Sequence, residues 1–457
     1  MNFNVDDRRF METENVPRLL ARFAVPAMVG MIASAIYNIV DRVFVGHMMG
    51  PDGIAAIALG FPCMLLCFAL AVLVGVGGAS RTALQLGAKN EEGAMQTVGS
   101  VVFLCLAGSL LFMTIGKTAA EFILRMSGAS DALLPASKEY LSIILWGVPF
   151  ATLSFAGSCV IRACGSPKYA MGTQLVGAVL NIILDAWFVV WLRMEIRGAA
   201  LATVISQGIS VLWVAGYFFS PYARIRLRGC HVSAPDRETV GRILAVGAPP
   251  FLMHLTFVLI HGLINVSVSR YGGDLAVSSM GIIISLDSLL FMPAVAIGEG
   301  TQPIVGYNYG ARCFNRVRLT IKWAVGAATA FYILSFSAIY FNTTFLVRMF
   351  NRSDHALIDL TSRAMRVAYL GIPVMGLSIV TGFALQGLGR ARDSFVLSFI
   401  RFGLLLLLPL AVLPRFLGLF GVWMTFPLSD IAGSAVSFLY LRRVMMEMKN
   451  ADAGENK

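Results

Sequence analysis

Long apolar runs, each bounded by a short polar segment, recur along the whole chain. A helix needs about 20 mostly apolar residues to cross the hydrocarbon core of a bilayer. Twelve runs meet that length: 18–46, 53–79, 94–115, 139–161, 169–192, 198–220, 243–269, 276–306, 319–341, 363–387, 394–414 and 420–441. They are too long and continuous for the short alternating strands of an outer-membrane barrel. The pattern therefore predicts an all-α polytopic membrane protein with twelve transmembrane helices. The first and eighth runs are unusually long. Pro26 lies in the first, while Pro293 and Pro303 are expected to interrupt the eighth, because a proline removes a backbone hydrogen bond and kinks a helix. Freed carbonyls are tolerated in lipid only where they face protein or water.

Composition agrees. Apolar residues make up 57% of the 457 and charged residues only 13%, against about 45–50% and about 25% in soluble domains. Too little polar surface remains to cover a water-soluble globule. The net charge of +11 could suggest nucleic acid as a partner, but its distribution argues for topology instead, with the lipid bilayer as the surroundings and no nucleic acid. With the N-terminus inside, 23 Lys and Arg fall on the cytoplasmic side and 12 outside, with Arg401 left within a span. That bias orients a polytopic protein with both termini cytoplasmic. Residues 1–16 lack the short apolar core of a signal peptide, so the first run is expected to be retained as a span. Seven scattered cysteines have no zinc-ligand spacing and read as small packing residues.

The chain also repeats itself. Phe23-Ala24-Val25-Pro26 recurs as Val246-Gly247-Ala248-Pro249, and Gly75-Val76-Gly77 as Gly298-Glu299-Gly300. Leu86-Gly87-Ala88-Lys89 recurs as Tyr309-Gly310-Ala311-Arg312, Gly147-Val148-Pro149 as Gly371-Ile372-Pro373, and Gly165 as Gly389. Each offset is 223 or 224. Single glycine matches are cheap, but a constant offset across six spans marks an internal duplication. The expected organisation is a cytoplasmic tail (1–16), an N-lobe of six helices (17–220), a cytoplasmic basic linker (221–242), a C-lobe of six helices (243–441) and a cytoplasmic tail (442–457). An even number of spans per half makes the two bundles pseudo-two-fold related about the membrane normal, an arrangement common among transporters. No phosphate loop, zinc-protease helix or nucleophile elbow is present, so the chain reads as a transporter rather than an enzyme, with no cofactor.

A charged group at the bilayer centre costs about 2.5–3.5 kcal/mol even on lenient scales, so each intramembrane acid calls for a reason. They are Asp41, Asp185, Asp287, Glu299 and Asp430. Tyr37 and Asn38 precede Asp41 by one helical turn and share its face. Asn181 and Asp185 are four apart on the fifth span, and Thr203 sits early in the sixth. If these helices converge, two carboxylates share one pocket with an amide, a hydroxyl and a phenol. Such a pair can hold a proton near neutrality, and the same oxygens suit Na⁺ as hard ligands, with Asp41, Asn181, Asp185 and Thr203 as the set. The second half does not repeat these acids. Its polar candidates, read as lining a substrate cavity with Asn38, are His254, His261, Asp287, Glu299 and Gln302.

Pro26, Tyr37, Asp41, the Asn181-Ile-Ile-Leu-Asp185 run, Thr203, Gly75-Val-Gly-Gly78 and Gln302-Pro303-Ile-Val-Gly306 together resemble the MATE (multidrug and toxic compound extrusion) transporters, and the likeness covers essentially the whole chain. The resemblance implies antiport: export of amphipathic, often cationic small molecules in exchange for inward H⁺ or Na⁺. It also implies a multi-pass protein of the bacterial inner membrane, expected to act as a monomer. Asp41, Asn181, Asp185 and Thr203, with Tyr37 beside them, match the cation site of the family's N-lobe. Pro26 matches the bending proline of its first helix, which points to the DinF-like branch. The acids that the NorM-like branch carries on its seventh and tenth helices have no counterpart here. Two rival readings are a lipid-linked oligosaccharide flippase, which calls for a cationic cavity, and a membrane-embedded lipid-modifying enzyme, which calls for converging catalytic groups.

Overall fold

The structure, a computed structural model, describes residues 10–220, 223–225, 235–350 and 354–455. Half of the basic linker expected at 221–242 (221–222 and 226–234), and residues 1–9 of the expected N-terminal tail, lie outside the described residues. Among those described, the regular structure is helical throughout, with no strand.

Among the described residues, ten helices are long and apolar enough to cross a membrane. Three of them contain a break where the backbone leaves helical geometry: at Asn342 (φ −116°, ψ 18°) near the end of Phe314–Phe350, and, with positive φ, at Gly273 (φ 64°, ψ −164°) and at Gly418 (φ 57°, ψ −139°). Glycine adopts such angles without the steric cost of a Cβ. Dividing the helices at these two glycines gives twelve spans. They are α1 (Val16–Met49), α2 (Ala55–Gly87), α3 (Glu91–Met126), α4 (Leu134–Ala163), α5 (Pro167–Trp191) and α6 (Glu195–Phe219), followed by α7 (237–272), α8 (274–310), α9 (Phe314–Phe350), α10 (His355–Gly387), α11 (391–417) and α12 (419–455). The interruptions expected at Pro293 and Pro303 are absent. Gly273 is the one non-helical position among the described residues of 237–310. A proline forfeits one hydrogen bond, but its fixed φ is itself helical, so the chain runs on as helix past both. The segment expected as a C-terminal tail from 442 continues α12 to Glu455.

Helix starts follow ordinary capping chemistry. Asn90 accepts from the Gly93 N–H at 2.8 Å, and Asp354 from the Leu357 N–H at 3.0 Å. Before α7, Asp236 accepts from both the N–H (2.9 Å) and the hydroxyl (2.8 Å) of Thr239, which holds its carboxyl below the usual range. Large apolar side chains, among them Leu110 (60%), Leu212 (69%) and Phe341 (82%), stand exposed along the spans. A water-facing surface would not tolerate that density of apolar groups; a bilayer-facing one requires it.

The duplication is visible in the backbone. Positive φ recurs at Lys89 (59°) and Arg312 (58°), at Gly165 (91°) and Gly389 (69°), and at Glu195 (51°) and Gly418 (57°). These pairs keep the 223–224 offset of the sequence repeat, so the same turns close the corresponding helices in both halves.

The described chain divides into two compact units. Unit 1 holds residues 25–254 together with 310–312 and the N-terminal segment to Thr13; unit 2 holds 14–24, 255–309 and 313–457. The opening turns of α1 thus belong to unit 2, and those of α7 to unit 1. The repeated glycines explain how they are seated. A Cβ on Gly77 would run into the Ile243 carbonyl oxygen, and one on Gly247 into that of Leu73, both within unit 1. In unit 2 a Cβ on Gly300 would lie 2.9 Å from the Ala24 nitrogen. Each glycine lets two helix backbones touch.

Candidate functional site

In unit 1, α1, α5 and α6 carry the polar residues singled out above. Asp41 is buried (9% exposed) on α1, and Tyr37 lies one turn earlier on the same face. On α5, Asn181 and Asp185 are almost fully buried at 1% and 0% exposure, again one turn apart. Asp41 and Asp185 interact electrostatically with each other, and Tyr37 interacts with both. The Asn181 Nδ2 donates to Thr203 Oγ1 at 3.4 Å, and the Thr203 hydroxyl donates to the Ala199 carbonyl at 3.1 Å. The three helices therefore bring Tyr37, Asp41, Asn181, Asp185 and Thr203 into one polar neighbourhood surrounded by apolar side chains.

Oxygen is in excess there. Neither carboxylate oxygen of Asp185 accepts a hydrogen bond among the described residues, and nor does Asn181 Oδ1. An unpartnered buried carboxylate is expensive, and either a proton or a small cation would relieve the cost. Among the described residues no three His, Cys, Asp or Glu side chains converge as a transition-metal centre requires. Two carboxylates, an amide oxygen and a hydroxyl instead make an all-oxygen set.

One local feature had no sequence signal. Directly after Asp185 the helix widens into a π-helical segment, Ala186–Trp191, with Trp187 and Trp191 packed edge to face at 5.5 Å. Such widened turns recur at functional sites because they release carbonyls and re-aim the preceding side chains. Tryptophans and β-branched valines carry no proline or glycine to announce it.

The remaining candidates fall elsewhere. Pro26 is buried within α1, fifteen residues before Asp41. Asn38 is exposed, its amide donating to the Ser34 carbonyl at 2.7 Å. His254 belongs to unit 1, where its ring meets Phe68 edge-on at 5.2 Å, a packing role. His261, Asp287, Glu299 and Gln302 belong to unit 2. Gln302 is buried at 5% exposure, His261, Asp287 and Glu299 are half-buried, and Asp287 is met by the Tyr369 hydroxyl.

The Asn181–Thr203 contact makes a prediction. Thr203→Val keeps the shape but leaves the buried amide without its acceptor, at a cost of about 1–3 kcal/mol. The melting temperature of the purified protein is expected to fall, with Thr203→Ser retaining the wild-type value. Equal melting temperatures for all three proteins would show that the contact contributes nothing.

The family model described as MatE matches this sequence twice, over residues 26–187 and 249–413. The chain belongs to the MatE family. The two matched segments are the two halves of the internal repeat, and family members are transporters rather than enzymes. Among curated relatives, the multidrug export protein MepA of Staphylococcus aureus (strain NCTC 8325) is 25% identical over 438 residues, covering 95% of this chain and 96% of that protein. MepA of Staphylococcus saprophyticus is 27% identical over 450 residues, covering 97% and 98%. A solved structure described as an outward-facing multidrug resistance MATE family transporter of the MOP superfamily superposes with a TM-score of 0.90 at 24% identity, covering 98% of this chain and 99% of that one. The MATE fold and a multi-pass membrane protein follow from these likenesses.

Proposed function

We propose that the protein is a secondary active multidrug antiporter of the bacterial inner membrane, with both termini cytoplasmic. It exports amphipathic, cationic small molecules in exchange for an inward cation, H⁺ or Na⁺. The observation that carries this reading is the pair of buried carboxylates, Asp41 and Asp185, which feel each other's charge while neither oxygen of Asp185 accepts a hydrogen bond among the described residues. A cation arriving from outside balances that charge, and a site occupied by turns from either face of the membrane is what exchange requires. The names of the MepA relatives support export of small molecules. The basic bias of the loops supports the orientation.

In this scheme Asp41 and Asp185 bind the coupling ion, Asn181 and Thr203 add neutral oxygens, and Tyr37 orients the pair. Pro26 gives α1 a point at which to bend as the charge of Asp41 is relieved. The test is efflux of a lipophilic cation such as ethidium from proteoliposomes under a pH gradient or a Na⁺ gradient imposed separately. Export driven by one gradient and abolished by its collapse is the expected result. Equal efflux with no gradient would reject antiport.

A further inference from the structure

Unit 2 holds a second set of intramembrane charges that the coupling scheme does not use. Asp287 on α8, Tyr332 on α9, Tyr369 on α10, Arg401 on α11 and Asp430 on α12 come together from five helices. The Arg401 guanidinium stands 3.9 Å from an Asp430 carboxylate oxygen, both side chains being largely buried. That is ion-pair range, yet far longer than the roughly 2.7–2.9 Å of a charge-assisted hydrogen bond. Asp430 interacts electrostatically with Asp287. Tyr332 interacts with Arg401, Asp430 and Asp287 alike. It is 1% exposed, and its hydroxyl has no hydrogen-bond partner among the described residues. The Tyr369 hydroxyl is in hydrogen-bonding reach of Asp287 and lies 3.3 Å from the Ile283 carbonyl oxygen.

The cluster was not inherited from the duplication. At the repeat offset its five members correspond to Met64, Ser109, Leu145, Gly177 and Gln207, none of them charged. Conversely, Asp41, Asn181, Asp185 and Thr203 correspond to Ile264, Leu405, Pro409 and Phe426, all apolar. Two glycines leave room for these side chains: a Cβ on Gly371, the counterpart of Gly147, would come within 2.7 Å of the Asp430 Cβ, and one on Gly433, where the first half has Ser210, within 3.2 Å of the Arg401 Cγ.

Two carboxylates and one guanidinium sum to a single negative charge in a poorly solvated place. A metal cation balancing it would sit beside a guanidinium, whereas a proton needs no added space. The hydrogen bonding favours the proton as well. Tyr369 has one O–H to offer both Ile283 and Asp287. With Asp287 protonated, its O–H donates to the tyrosine oxygen and the tyrosine O–H donates to the carbonyl, which satisfies every group in line.

We propose that unit 2 contains a proton-binding site of its own, in which Asp287 carries the proton and the Arg401–Asp430 pair sets the charge balance that retains it. Its use in transport rests on the antiport reading, but its existence does not.

The test is infrared spectroscopy of the full-length protein in lipid vesicles, following the carboxylic-acid C=O band across a pH titration. An Asp41→Asn/Asp185→Asn background silences the acids of unit 1. A band from a protonated acid is expected to persist near neutral pH, and to vanish in Asp287→Asn. It should also vanish in Asp430→Asn, because Arg401 is then free to neutralise an ionised Asp287. Adding Arg401→Gln to Asp430→Asn removes that neutralisation and should restore the band. Persistence of the band in Asp287→Asn would overturn the assignment, and persistence in Asp430→Asn would overturn the charge-balance argument. In the otherwise wild-type protein, Asp287→Asn should lower the number of protons exchanged per tetraphenylphosphonium, a cation with no titratable proton of its own. Unchanged transport by Asp41→Asn/Asp185→Asn would reject the coupling scheme of unit 1 without touching the spectroscopic result.

Discussion

Asp185→Asn is expected to reduce ion-driven export about a hundredfold, the upper end of ordinary coupling free energies, while leaving the protein folded. The substitution replaces one oxygen with an NH₂ of nearly equal volume, so packing on α5 is preserved. What it removes is charge. Asp185 is fully buried, and both of its carboxylate oxygens are unpartnered among the described residues, so the wild-type site needs a cation to be comfortable and the variant does not. With that need gone, the ion gradient has no differential interaction to act on, and a ligand without differential affinity shifts no equilibrium. The measurement is accumulation of a lipophilic cation in inverted vesicles, alongside exchange of labelled substrate with no gradient. Loss of accumulation with exchange retained identifies an uncoupled transporter. Undiminished accumulation would sink the role of Asp185, and parallel loss of both would place the defect in substrate binding. Asp41→Asn should behave alike, since the two carboxylates feel each other's charge.

Much of this was legible in the sequence, for physical reasons that also set the limits. Twelve spans show because the bilayer demands an unbroken apolar length, a requirement that each segment meets by itself. The pairing of Asp41 with Asn181, Asp185 and Thr203 was suggested because acids are so scarce in lipid that any two in one half invite a common cause. Helix breaks were harder to read. Proline at 293 and 303 pointed to interruptions, yet those positions are helical, and the positive-φ departures that separate spans occur at Gly273 and Gly418. Proline's φ fits a helix, whereas positive φ does not, so the lone glycines were the better signal. Arg401, Asp430 and Asp287 were visible singly as intramembrane charges. Their convergence depends on how α8, α11 and α12 pack, with more than a hundred residues separating Asp287 from the other two, and no local spacing encodes that. Tyr332 and Tyr369 gave no sign at all, because a tyrosine in an apolar helix is ordinary until its neighbours are known.

Gly77→Ala is expected to destabilise the protein by about 1–3 kcal/mol, the range for overpacking a filled interior, out of proportion to the single carbon it adds. Elsewhere in a helix the same change would help, since alanine is the better helix former by about 1 kcal/mol. At this position the added Cβ runs into the Ile243 carbonyl oxygen, a backbone atom held in the first turns of α7. A flexible side chain could swing aside, but a helical carbonyl moves only with its helix. Relief therefore requires α7 to shift bodily within unit 1, and that shift would also disturb the second close approach, where Gly247 meets the Leu73 carbonyl. The two contacts lie one turn apart on each helix, so they form a single seam. Losses from Gly77→Ala and Gly247→Ala should consequently be less than additive when combined, because one displacement relieves both. The measurement is the melting temperature of the purified protein in detergent, with Gly208→Ala as the control, a position where an added Cβ meets nothing within 4 Å. A neutral or stabilising effect of Gly77→Ala would show that the seam can open freely. The repeated glycines would then owe their recurrence to the duplication alone, and not to the contact of two backbones.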